Sequence, residues 1–162
     1  MKSTKRLQLL SFTALLGAVV LFAGCGEPAP GGDPAEAVTS VTITGNDQMQ
    51  FEPTRFVVPA GEEITLTFQN IGQMPKETMG HNLAIIRGLT PMAFSSVSQQ
   101  HPENEYIAPE FEDRVIAATQ VLGPGEEETI VFTAPTEPGE YPFVCSFPTH
   151  TGAGMHGIMV VQ

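Results

Sequence analysis

Between Val38 and Gln162 the chain is cut into short β-rich runs at nearly regular intervals: VTSVTITG, FVVPAG, EITLTFQN, HNLAIIRG, ETIVFTAP, YPFVCSF and GIMVVQ. Several alternate apolar with polar residues, and Gly, Pro and Asn punctuate them. A period of two marks strands buried on one face, and short strands separated by turn residues build an all-β sandwich or small barrel. One interval departs from the pattern. Thr90 followed by Pro91 is a helix start, and PMAFSSVSQQ predicts about two or three helical turns before the acidic, proline-broken HPENEYIAPEFED. This segment is expected to be a helical insertion between strands.

The first 24 residues have a different character. Lys2, Lys5 and Arg6 precede an uncharged, largely apolar run from Leu7 to Ala23, and Cys25 follows after Gly24. The run is short for a membrane span, and its flanks are those of an export signal. Residues 1–24 are therefore expected to be a lipoprotein signal peptide, with Cys25 as the lipidated first residue of the mature chain. Phe22 stands where such signals more often carry Leu. Residues 25–37, rich in Gly, Pro and acid, are expected to be a disordered tether to a domain spanning 38–162. That length is sufficient for one domain with a proper core.

Charge and cysteine usage narrow the function. With Lys2, Lys5 and Arg6 removed, four of the seven cations remain against 18 acids, a formal charge of −14. Nucleic acid is excluded as a partner class on that balance, and a basic protein surface fits it. The chain has two cysteines, Cys25 and Cys145. If Cys25 carries lipid, Cys145 has no disulfide partner in an oxidising compartment, and its thiol needs another reason to exist.

The stretch CSFPTHTGAGM, from Cys145 to Met155, supplies one. It places Cys145 at the end of a strand, with His150 and Met155 in the loop before the last strand. Of the remaining histidines, His81 opens the run HNLAII, whereas His101 lies in the polar insertion and is expected to be solvated. His156 adjoins Met155, but neighbours at the start of a strand point to opposite sides, so it is expected to face solvent. Taken singly these residues have bland explanations: a lone Cys is usually a small core residue, and a strand-end His is usually hydrogen-bonded. As a set, two imidazoles, one thiolate and one thioether are soft mixed donors that suit copper, and His₂Cys with a weak axial Met marks a blue electron-transfer site. Zinc would accept the same His and Cys donors but gains nothing from the methionine.

The segments GNDQMQF (Gly45 to Phe51), PKETMGHN (Pro75 to Asn82) and CSFPTH (Cys145 to His150) resemble those of azurin, and GAGM (Gly152 to Met155) resembles plastocyanin. The combined spacing is similar to that of the auracyanins, so the region from Val41 to Gln162 resembles the cupredoxin family of type 1 blue copper proteins. The resemblance implies a Greek-key β-sandwich with one type 1 copper ion, cycling Cu(II)/Cu(I), at one end. It implies His81, Cys145 and His150 as equatorial ligands and Met155 as the axial one. The Gly80 carbonyl is a possible weak axial donor on the opposite side, and the loop after His150 is one residue longer than azurin's. Asn82 and Ser146 match positions that brace the ligand-bearing segments, while azurin's disulfide has no counterpart.

The implied function is single-electron carriage outside the cytoplasm, on the outer face of the membrane through the lipid anchor, between redox proteins such as cytochromes or membrane oxidoreductases. The implied electron door is His150 in an exposed loop, ringed by Met49, Met74, Pro75, Pro148, Thr149 and Ala153. The domain is expected to be monomeric. No catalytic constellation or phosphate loop is present, and a site closed by four protein ligands leaves no place for substrate. The rival reading, copper storage or delivery, would favour Met-rich or His-rich tracts, and the seven methionines are scattered.

Overall fold

The computed structural model describes residues 36–162. The expected signal peptide (residues 1–24), Cys25 and most of the expected tether (25–37) lie outside the described residues. The first backbone hydrogen bond into the sandwich is donated by Val38 to the carbonyl of Val57. Nine strands follow: β1 (Ser40–Gly45), β2 (Phe51–Glu52), β3 (Arg55–Val58), β4 (Glu63–Asn70), β5 (Ala84–Ile86), β6 (Val115–Ala118), β7 (Glu127–Thr133), β8 (Gly139–Val144) and β9 (His156–Val161).

They form two sheets, one in the order β2-β1-β4-β7 and the other β3-β9-β8-β5-β6. Most pairs are antiparallel, but β1 with β4 and β3 with β9 run parallel. The alternation seen in the sequence sets the core. In β4 the side chains of Ile64, Leu66, Phe68 and Asn70 are buried while their neighbours are not, and in β9 Gly157, Met159 and Val161 do the same. The rings of Phe51, Phe56, Phe68 and Phe143 meet between the sheets at centroid distances of 5.4–5.7 Å.

β5 is buried on both faces, unlike a strand with one wet side. Ile85 faces the inter-sheet core, whereas Ala84 and Ile86 pack with Phe94 and Val144 under the insertion. After a single-turn helix, α1 (Lys76–Met79), and β5, the insertion contains the expected helix, α2 (Pro91–Ser98), with the Thr90 hydroxyl accepting from the Ala93 N–H at 3.2 Å. Two 3₁₀ turns, Pro102–Asn104 and Pro109–Arg114, complete it. Two strands escape the sequence pattern: β2 has two residues, too few for a period, and β6 (VIAA) has no alternation. His81 does not open a strand. It makes an isolated antiparallel bridge to Leu122, and β5 begins three residues later.

Candidate metal centre

The site lies at one end of the sandwich, beyond the end of β8, the start of β9 and the segment before β5. Cys145 directly follows β8, and its N–H donates to the Met155 carbonyl at 3.1 Å, so the β8–β9 loop closes on itself. Within the loop, His150 donates to Phe147, Ala153 to Thr149, and Met155 to His150, at 3.0–3.2 Å. The Thr151 hydroxyl donates to the Cys145 carbonyl at 2.6 Å. Thr149 at φ +73° and Gly154 at φ +106° make the reversals that these bonds require.

Folding brings His81 to Cys145 and His150, which share one loop more than 60 residues further along the chain. His81 Nδ1 and His150 Nδ1 are 3.1 Å apart, Cys145 Sγ is 3.4 Å from His150 Nδ1, and it is 3.9 Å from His81 Nδ1. The point equidistant from three atoms at those separations lies about 2.0 Å from each, close to ordinary metal–nitrogen distances and slightly short for metal–sulfur. All three residues are buried, Cys145 and His81 fully and His150 to 2% exposure. Met155 is also fully buried, and its methyl packs so closely over Gly45 that a Cβ there would stand 3.0 Å away.

Burial shapes the protonation of these groups without metal. Loss of water pushes the Cys145 thiol up to about 12, against the backbone N–H groups of Asn82 and Phe147, which favour the thiolate. Burial, and secondarily the neighbouring His81, lowers His150 to about 4. Burial also lowers His81, opposed by the Asn46 carbonyl and the Asp47 carboxylate. The Asn46 carbonyl faces the His81 ring without reaching hydrogen-bond geometry, and His81 Nε2 is left buried without a partner. Two neutral imidazoles and one thiol whose proton a cation can displace are the donor set that soft metal binding needs.

Asn82 spans the two ligand-bearing segments. Its Oδ1 accepts from the Ser146 N–H at 2.8 Å, and its Nδ2 donates to Ser146 Oγ at 2.9 Å and to the Glu105 carbonyl at 2.8 Å. Gly80 is tightly enclosed, since a Cβ there would lie 2.6 Å from both the Lys76 carbonyl and the Val121 side chain. His101 stays in the insertion, half-buried and 3.1 Å from Glu103, and His156 is exposed on β9. The loop is exposed, as expected, at Thr149, Gly152, Ala153 and Gly154, but His150 within it is itself buried, with the Phe147 ring 4.8 Å from the imidazole. Of the residues expected to ring it, Met74, Pro75, Thr149 and Ala153 are exposed and Met49 and Pro148 half-buried. Phe147, Thr151 and Glu105 were not singled out from sequence, because no local pattern distinguishes a brace from an ordinary loop residue.

Residues 37–162 match the family model described as copper binding proteins, plastocyanin/azurin family. The chain belongs to the plastocyanin/azurin family. This cupredoxin is 30% identical to azurin of Pseudomonas aeruginosa over 166 residues, covering 98% of this chain and 99% of that one. It is 36% identical to outer membrane protein H.8 of Neisseria meningitidis over 120 residues, which is 73% of this chain but only 64% of that protein's length. Among solved structures, the dithionite-reduced auracyanin of Roseiflexus castenholzii has a TM-score of 0.67 at 34% identity, over 78% of this chain and 99% of that one. An azurin of Methylomonas sp. strain J gives 0.68 at 28% identity with the same coverage. Copper is the cofactor, and His81, Cys145 and His150 with Met155 form a type 1 copper-like site. Electron transfer is the function that membership in this family implies.

Proposed function

We propose that this cupredoxin carries single electrons outside the cytoplasm, held to a membrane by lipid on Cys25 and exchanging with cytochromes or membrane oxidoreductases. In this reading His81, Cys145, His150 and Met155 would hold the copper, with the Gly80 carbonyl as a possible further weak donor. Bound there, copper supplies a one-electron couple. The observation that carries the reading is a buried N, N, S triangle sized for one ion and closed by protein on every side.

The chain's own part is to hold those donors still and dry. Two neutral imidazoles and one thiolate leave the oxidised centre at +1 and the reduced centre neutral, so neither state places a large charge in the buried end of the sandwich. The Asn82 and Thr151 hydrogen bonds fix the segments bearing the donors before any metal arrives. Phe147 beside His150 and the exposed, uncharged Thr149, Gly152, Ala153 and Gly154 of its loop offer a face that a partner can approach closely. The mature charge of −14 supports a partner with a basic face. The likeness to Neisseria proteins named for the outer membrane supports a membrane location.

The test is spectroscopic and kinetic. Oxidised protein should show an intense visible thiolate-to-copper band that Cys145→Ser abolishes, with a reversible potential and fast electron self-exchange. A colourless copper protein, or one that binds copper but exchanges electrons slowly, would favour storage or delivery. Mass spectrometry of the membrane fraction should find diacylglycerol on Cys25; a mature chain without it defeats the anchor.

A further inference from the structure

The insertion reaches the metal centre through a two-residue corner, Glu105 and Tyr106. Both are non-glycine residues in the left-handed region, at φ +51° and +58°. Such a pair is unfavourable and persists only where its surroundings over-determine it. The corner makes three connections. The Glu105 carbonyl accepts from Asn82 Nδ2 at 2.8 Å, and Asn82 in turn holds the N–H of Ser146, next to Cys145. The Glu105 carboxylate accepts from the Val121 N–H at 2.7 Å. The next residue, Leu122, exchanges both backbone hydrogen bonds with His81, at 2.7 and 3.1 Å. Tyr106 sets its ring edge-on to Phe147 at 5.0 Å, and Phe147 covers His150 at 4.8 Å.

From these contacts we infer that Glu105 is a positioning residue for the copper site, tying the Val121–Leu122 segment opposite His81 and the Cys145 segment to one corner and so holding those two donors in one register, while Tyr106 adds the contact to Phe147 beside His150. This rests on the copper reading above and extends it to a residue of the insertion that touches no donor. A short bond from an N–H to a carboxylate is charge-assisted and stronger than a neutral one, which suits a brace that must not slacken between oxidation states. When the carboxylate is lost, Val121 and Leu122 are free to drift and His81 moves with them. With the donors less firmly held, the site would discriminate less against Cu(II), so the oxidised state would gain and the potential would fall.

The experiment compares Glu105→Ala, Glu105→Gly and Glu105→Gln in the full domain. Glu105→Gly relieves the left-handed backbone while removing the carboxylate, and Glu105→Gln keeps an acceptor. In metal-free protein, amide hydrogen exchange at Val121 and Leu122 should rise at least tenfold in the Ala and Gly variants and return toward wild type with Gln. In copper protein, the Ala and Gly variants should favour Cu(II) at least threefold, a fall of about 28 mV at about 59 mV per tenfold, with slower self-exchange. The Gln variant should recover most of both. Wild-type potential and self-exchange in the Ala and Gly variants, with only unfolding stability altered, would reduce Glu105 to a structural residue and overturn the inference. So would a Gln variant that behaves like Ala. Failure of the copper reading is distinct: wild type itself would then lack the charge-transfer band, and the metal-free exchange would still decide the role of Glu105 in holding His81.

Discussion

Loading the metal-free domain with Cu(II) at pH 7 is expected to release close to one proton per ion. Cys145, pushed up to about 12, is fully protonated at that pH and must give up its proton to ligate. His150, lowered to about 4, and His81, lowered by the same burial, are already neutral and release nothing. The number is diagnostic at lower pH. At pH 5 a histidine with a pKa of about 4 is still about 90% neutral and adds about 0.1 proton, whereas two histidines at ordinary values would together add about 2. Calorimetric titration in buffers of different ionisation enthalpy counts the protons directly. Release near three per copper at pH 5 would show that the imidazoles are not desolvated as the structure requires. Release near zero at pH 7 would show that the thiol is already ionised or is not a ligand. The same shifts set the stability of the metal-free protein. A histidine lowered in the fold contributes stability that is present above its ordinary value and lost as pH falls toward the folded one. The apo domain should therefore weaken between about pH 6.5 and 4, by at most about 3 kcal/mol from His150. Cys145 acts in the opposite window, its contribution being lost as pH rises from its ordinary value of 9.0 toward 12.

Met155→Leu, close in volume, should keep the visible band and raise the reduction potential, because the lost thioether favours Cu(II) more than Cu(I); His156→Ala, on the exposed side of β9, should leave both nearly unchanged. Voltammetry of the two variants decides it, and a shift confined to the His156 variant would move the ligand register by one residue. Gly157→Ala should cost about 3 kcal/mol or more in urea denaturation of the metal-free domain, since its Cβ would overlap the fully buried Phe143 ring and the Thr54 carbonyl. A variant within about 0.5 kcal/mol of wild type would mean that β9 shifts more easily than the packing allows.

Much of this protein was legible from residue order alone, where the controlling physics is local. Alternation along EITLTFQN is enough to bury Ile64, Leu66 and Phe68, and Thr90 before Pro91 is enough to start α2. Cys145, His150 and Met155 share one loop, so their chemistry declared itself by type and spacing, and His81 was the histidine best placed to join them. Tertiary structure decided what depends on segments meeting across the chain. It set His81 Nδ1 within 3.9 Å of a sulfur 64 residues away and placed Phe147 over His150, so that a residue in an exposed loop is itself buried. It buried the β5 segment on both faces by folding the insertion over it, which no period in AII announces. It also recruited Glu105 and Thr151, because a hydrogen bond between distant segments leaves no mark on either one's composition. Donor identity is a property of side chains and survives in the sequence, whereas desolvation, which lowers both imidazoles and raises the thiol, belongs to the packed assembly and exists only once the sheets have closed.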